Sequence, residues 1–252
     1  MLQYGGCERR QALKLVDDPR FDVPLYTIGE AARIVDVPAS TLASWAKGYT
    51  RRFPDRPEVT GDPVLTYLPT STFRGPAIPF IGLAEGLVLA AIRRSGVPMQ
   101  RVRPALDELQ RQMGIGHALA SQRLYTDGAE LLFDYAEQNQ EFGLGPRTKD
   151  LVVIRNGQRV FAEIIEQYLK LIRYGSDGYA STIQVPAYRE AEVVADPGRS
   201  FGSPVFERGG ARVSDVLERF WAGESLSELS KEFGVPHHQL EDVVRATSRQ
   251  AA

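Results

Sequence analysis

Cysteine is nearly absent from this chain, with Cys7 alone in 252 residues, and histidine occurs only three times. A single thiol cannot close an internal disulfide, and three histidines without a Cys-x-x-Cys pair exclude the familiar structural zinc sites. An excess of either charge is also missing, since 30 Lys and Arg face 32 Asp and Glu for a net charge of −2. No global basic field surrounds such a molecule, so any contact with nucleic acid has to be local. Long apolar runs are lacking too. The best of them, Ile78 to Ile92, contains Glu85 and is too short to span a bilayer. With no charged-then-apolar leader, a cytoplasmic protein without membrane contact is expected. No Gly-Lys-Ser/Thr phosphate loop occurs, and Gly114-Ile115-Gly116 lacks the third glycine of a dinucleotide loop. His237 and His238 are adjacent, so on a helix they point about 100° apart instead of chelating as a pair. Neither catalysis nor a cofactor or metal is expected.

What is present is an ordinary globular composition, 43% hydrophobic and 25% charged, over a length that suits two or three domains. Thr27-Ile28-Gly29-Glu30 has the Ser/Thr-x-x-Glu form of a capping box, and Ala31, Ala32 and Val35 continue an apolar face from Ile28 at helical spacing. Asp36-Val37-Pro38 breaks that helix before a second one from Ser40 to Lys47, whose Leu42, Trp45 and Ala46 face the first. Ala32 is the small residue at the crossing, and Asp36 occupies the turn position where Gly is usual. The same frame returns 198 residues later. Ser225-Leu226-Ser227-Glu228 repeats the box, Phe233-Gly234-Val235-Pro236 repeats the turn, and Leu240 and Val243 align with Leu42 and Trp45. Helix-turn-helix units are therefore expected near both ends.

Between them, Pro54 to Pro69 reads as a β-wing with a short strand around Val64 to Tyr67. Helices follow over Leu83–Ser95 and Met99–Met113. Asp127-Gly128 and Asn156-Gly157, each flanked by apolar runs, predict hairpins. A helix from Ala162 to Tyr174 and a strand over Ser181–Val185 complete the middle. The expected fold class is α+β. Its parts are an irregular arm (1–24), a winged helix-turn-helix (25–116), a central α+β region with β-hairpins (117–194) and a C-terminal helix-turn-helix (195–252).

DNA contact needs phosphate donors beside short polar groups on an exposed helix face. Ser40, Thr41, Ser44 and Lys47 supply these on the second helix, and Tyr49, Arg51, Arg52 and Arg56 follow it. A second basic set, Arg93, Arg94, Arg101, Arg103 and Arg111, lies on the next two helices. The C-terminal unit carries Glu241 and Asp242 on its second helix, which phosphate would repel, so it is read as a protein-binding or dimerising module. Phe220 and Trp221 are its candidate partner-binding patch, with at least one of the two expected inside.

The stretches Tyr26-Thr27-Ile28-Gly29-Glu30-Ala31-Ala32, Ser40-Thr41-Leu42 with Trp45, and Ser95-Gly96-Val97-Pro98 resemble the DNA-binding domain of MerR-type regulators. Ala43 and Ser44 stand where that family commonly has arginines. From Asp196-Pro197 through Gly202-Ser203-Pro204-Val205-Phe206, Gly210-Ala211-Arg212-Val213 and Ala222-Gly223-Glu224-Ser225, the chain resembles a small domain known from antitoxins of bacterial toxin–antitoxin pairs. Together the two resemblances imply a VapB-type antitoxin. Such a protein neutralises a cognate PIN-domain endoribonuclease toxin and represses its own operon by binding operator DNA, as a homodimer on paired half-sites. The alternative is a MerR-like regulator with no toxin partner, sensing a small molecule in a pocket around Leu131–Phe133 and Val152–Phe161.

Overall fold

The computed structural model describes residues 18–54, 56–70, 75–96, 98–124 and 164–251. Helix α1, Pro19–Asp22, lies within the expected irregular arm, started by the Asp18 carboxylate accepting from the Arg20 N–H. Arg20 also pairs with Asp177, far away in sequence.

Helix α2, Ile28–Ile34, begins with the expected capping box: Thr27 Oγ1 accepts from the Glu30 N–H at 3.2 Å, and Glu30 Oε2 accepts from the Thr27 N–H at 2.8 Å. Asp36 makes the turn at φ 55°, and its carboxylate accepts from Arg94 at 2.7 Å. Helix α3, Ala39–Lys47, buries Leu42, Trp45 and Ala46 in the same core as Ala31, Ala32 and Val35. Burial of Leu42 alone is worth about 2 kcal/mol.

Where a wing is expected there is a two-stranded antiparallel hairpin of β1, Tyr49–Phe53, and β2, Arg56–Gly61, with Tyr49 opposite Gly61 and Arg51 opposite Val59. It thus starts earlier than expected, and Val64 to Tyr67 is not a strand. Its N–H groups are used elsewhere: Val64 donates to the Trp45 carbonyl at 2.8 Å and Thr66 to Glu85 Oε2 at 2.6 Å.

Helix α4, Phe80–Arg94, is the apolar run noted above. It is buried from Phe80 to Ile92, which explains why its sequence is apolar all round. Glu85, 4% exposed, is held within it by the Thr66 N–H and by His117 Nδ1 at 3.0 Å from Oε1. Helix α5, Met99–Met113, buries Val102, Leu106, Leu109 and Met113, and stops at Gly114 in the left-handed region.

Residues 164–169 are helical, but the helix expected to reach Tyr174 ends early. Strand β3, Ile172–Tyr174, takes over because Ile172 pairs with Ile183 of β4, Ala180–Gln184. Strands β5, Val193–Ala195, and β6, Val205–Phe206, complete a four-stranded antiparallel sheet in the order β3-β4-β5-β6. The expected boundary between residues 194 and 195 falls inside β5, so this sheet runs straight across it. Both predicted hairpins, at Asp127-Gly128 and Asn156-Gly157, lie outside the described residues.

Helices α6, Val213–Trp221, α7, Leu226–Phe233, and α8, His237–Ala251, follow. The second capping box is present, with Ser225 and Glu228 in the roles of Thr27 and Glu30, and Gly234 turns α7 into α8 at φ 65°. A single apolar cluster runs from Tyr26 through α4 and the sheet to Val243. Tyr26 Oη ties its two ends together by donating to the Gly202 carbonyl at 2.9 Å. No helix among the described residues is long and apolar enough to cross a membrane.

Candidate nucleic-acid interface

Helix α3 turns Leu42, Trp45 and Ala46 inward, which leaves Ser40, Thr41 and Ser44 on its outer side. That side forms one wall of a groove of about 230 Å³. The opposite wall comes from three other elements: Tyr49 and Arg51 of β1, Arg93 of α4 and Arg103 of α5. Arg93 Nη1 donates to Thr41 Oγ1 at 2.7 Å, and Ser44 Oγ donates back to the Ser40 carbonyl at 2.9 Å.

Tyr49 is the platform of this groove. The guanidinium carbons of Arg51 and Arg103 each lie 5.3 Å from its ring centroid, within cation–π range. Such crowding needs a residue without a side chain on the neighbouring strand. A Cβ at Gly61 would come within 2.6 Å of the Tyr49 ring and 3.2 Å of the Arg103 guanidinium carbon.

The other expected contact residues do not all join this groove. Lys47 is exposed in the last turn of α3, with its ammonium 5.5 Å from the Tyr67 ring centroid. Arg52 sits at an irregularity in the β1–β2 pairing, outside the groove lining, and donates to Glu58 Oε2 at 2.7 Å. Arg56 lies in β2, with its side chain outside the described part. Of the second basic set, Arg94 is spent on Asp36 and Arg111 on Glu108. Arg93 and Arg103 are the groove residues that α3 and the wing do not supply. Their types were visible in the sequence, but nothing in their spacing points to α3, because the packing of α4 and α5 against it brings them there.

In the C-terminal half the structure corrects the reading of Asp242. This carboxylate does not face solvent: it is 8% exposed and accepts from the N–H groups of Arg189, Glu190 and Ala191 at 2.7, 2.8 and 3.0 Å. Burial works to raise its pKa, but the three backbone donations outweigh this and hold it below the usual carboxylate range. Glu241 does lie at the surface, where Arg245 donates to it at 3.2 Å. Phe220 packs partly buried against the core, whereas Trp221 at the end of α6 is 62% exposed.

Gly198-Arg199-Ser200-Phe201-Gly202 spells Gly-x-Ser-x-Gly, and Ser200 has φ 50°. A nucleophile elbow of this form stands between a strand and a helix with a histidine in reach. Here the segment leads from β5 into β6, and among the described residues no histidine is hydrogen-bonded to Ser200. Nor does any cluster of three or more metal-ligating side chains occur among them.

Comparison with known proteins adds to this geometry. A family described as "Putative DNA-binding HTH domain" matches residues 24–106, which contain α2, α3, the β1–β2 hairpin, α4 and the N-terminal half of α5. A Mycobacterium tuberculosis protein named "Putative antitoxin VapB45" is 49% identical over 228 residues, covering 90% of this chain and 95% of that protein. The uncharacterized protein Rv2308 of the same organism is 29% identical over 234 residues. The crystal structure of Rv2018, also from Mycobacterium tuberculosis, superposes with a TM-score of 0.71 at 40% identity, covering 89% of this chain and 99% of that one.

Proposed function

This chain belongs to the VapB45 family, and from that membership we propose that it is an antitoxin. It binds and neutralises a cognate PIN-domain endoribonuclease, and it represses its own operon through the N-terminal unit. The observation that carries this reading is the near full-length 49% identity to the protein named "Putative antitoxin VapB45". The order α2, α3, wing, α4 and α5 supports a MerR-like winged unit over residues 25–116, with Ser40, Thr41 and Ser44 facing the bases and basic groups facing the phosphates. A homodimer would place two such units on paired half-sites.

Toxin binding is assigned to the C-terminal helices, read as a second helix-turn-helix unit used for protein contact. Exposed Trp221 is the anchor, beside the partly buried Phe220. A PIN-type partner holds metal with a carboxylate cluster, so inhibition by occlusion suits an antitoxin that lays a surface over that site.

The test is capture of the full chain from its native host at low salt, with mass spectrometry of what remains bound. A small PIN-type protein released only by denaturant is the expected result. Recovery of the chain alone, or with promoter DNA only, would replace the antitoxin by a ligand-sensing regulator. Replacing Ser44 and Lys47 with Ala should weaken operator binding and leave toxin capture unchanged; an equal loss of both would mean these residues serve folding.

A further inference from the structure

Three guanidinium groups, Arg51, Arg93 and Arg103, line the groove beside α3, and among the described residues none of them has a carboxylate partner. Their neighbours differ. Arg52 is matched by Glu58, Arg94 by Asp36 and Arg111 by Glu108. Three cations without a carboxylate partner among the described residues thus share one groove, where no described anion offsets their mutual repulsion.

Arg103 is the most constrained of the three. Its Nε and Nη1 are enclosed without an acceptor among the described residues, and its Nη2 has only a 3.5 Å contact to the Ser44 carbonyl. The Tyr49 ring and the close approach of Gly61 hold it in place. A cation taken from water without an acceptor lowers its energy when an anion comes beside it. The planar fork of arginine suits a phosphodiester, whose two free oxygens accept in parallel. The hydroxyls of Ser40 and Thr41 stand at the same groove as further short donors.

We infer that Arg51, Arg93 and Arg103 form a phosphodiester-binding subsite for the DNA backbone, in which α4 and α5 clamp the strand that α3 reads. The inference rests on the DNA-binding reading of the N-terminal unit and goes beyond it by giving two helices outside the helix-turn-helix a direct role. DNA is favoured over an acidic protein surface because one wall of the groove is the outer face of α3 and the other includes Tyr49 and Arg51 of the hairpin that follows it.

The test uses the full-length protein and two fluorescent 30-base-pair duplexes, one from upstream of its own gene and one scrambled, titrated over a range of KCl concentrations. Arg93→Gln and Arg103→Gln should each weaken binding to both duplexes by a similar factor, about ten-fold or more. Each should also lower the magnitude of the salt slope by about 0.9, the loss of one phosphate contact. Arg52→Gln, which removes a cation already matched by Glu58, should change the slope less. Arg93 is exposed, so its variant keeps the test valid if the Arg103 variant unfolds. Unchanged affinity and slope in the folded Arg93 variant would overturn the subsite while leaving DNA binding intact. So would loss of a captured protein partner with DNA binding preserved, which would move the groove to the toxin. Failure of the wild-type protein to bind either duplex would overturn the DNA reading and the subsite with it.

Discussion

Asp242 and His117 are two titratable residues whose hydrogen bonds join elements distant in sequence. The Asp242 carboxylate satisfies three backbone N–H groups of the 189–191 segment and fastens α8 to the turn before β5. Asp242→Leu would leave those donors buried without an acceptor, and a loss of about 3 kcal/mol in urea unfolding is expected. Its depressed pKa makes this stabilisation present above the unfolded-state carboxyl value and lost as pH falls through the lower folded one. His117 behaves in the opposite sense. Its hydrogen bond to Glu85 raises its pKa against the effect of partial burial, and Asp22 adds in the same direction. Stabilisation by the protonated ring is complete below the ordinary value of 6.5 and fades as pH rises through the folded-state value. The melting-temperature gap between wild type and His117→Gln should be widest below that pH and narrow at higher pH. A gap that widens with pH would contradict the assignment.

At the scale of elements, the two helix pairs solve one turn in two ways. Gly234 adopts φ 65° between α7 and α8 with open space where a Cβ would stand, so the cost of a side chain there is backbone strain alone. Gly234→Ala should destabilise by about 1 kcal/mol, and Gly234→Asn by less, because Asn enters the left-handed region more readily. Chemical denaturation of the two variants side by side gives the comparison. Asp36 takes the same conformation between α2 and α3, and Arg94 of α4 secures it through both its carboxylate and its carbonyl. The departure from Gly at Asp36 thus coincides with a contact that locks the helix pair onto the central helix. The same helix, α4, sends Arg93 to Thr41 and so reaches α3 a second time.

For the whole molecule, the continuous sheet has a direct consequence. Strand β5 pairs on one side with β4 and on the other with β6, while the apolar cluster joins both ends of the chain. A fragment of residues 195–252 would lose most of β5 together with its neighbour β4 and would expose Val205, Phe206 and Val216. It is expected to be unfolded by circular dichroism and cooperative melting, although its helices carry good capping signals. A fragment that folds cooperatively would show that α6, α7 and α8 are self-sufficient. What the sequence determined by itself is local: both capping boxes, both turns, the inward Leu42, Trp45, Leu240 and Val243, and the extents of α4 and α5 to within a few residues. Each of these is set by hydrogen bonds and side-chain periodicity within one or two turns of chain, so neighbouring letters suffice. Long-range packing decided the rest. Ile172 became a strand because Ile183 lay ready to pair with it, Asp242 turned inward because three distant N–H groups needed an acceptor, and Arg93 and Arg103 met α3 because α4 and α5 are buried against it. Such outcomes depend on which surfaces exclude water together, and that is settled only when the chain closes on itself.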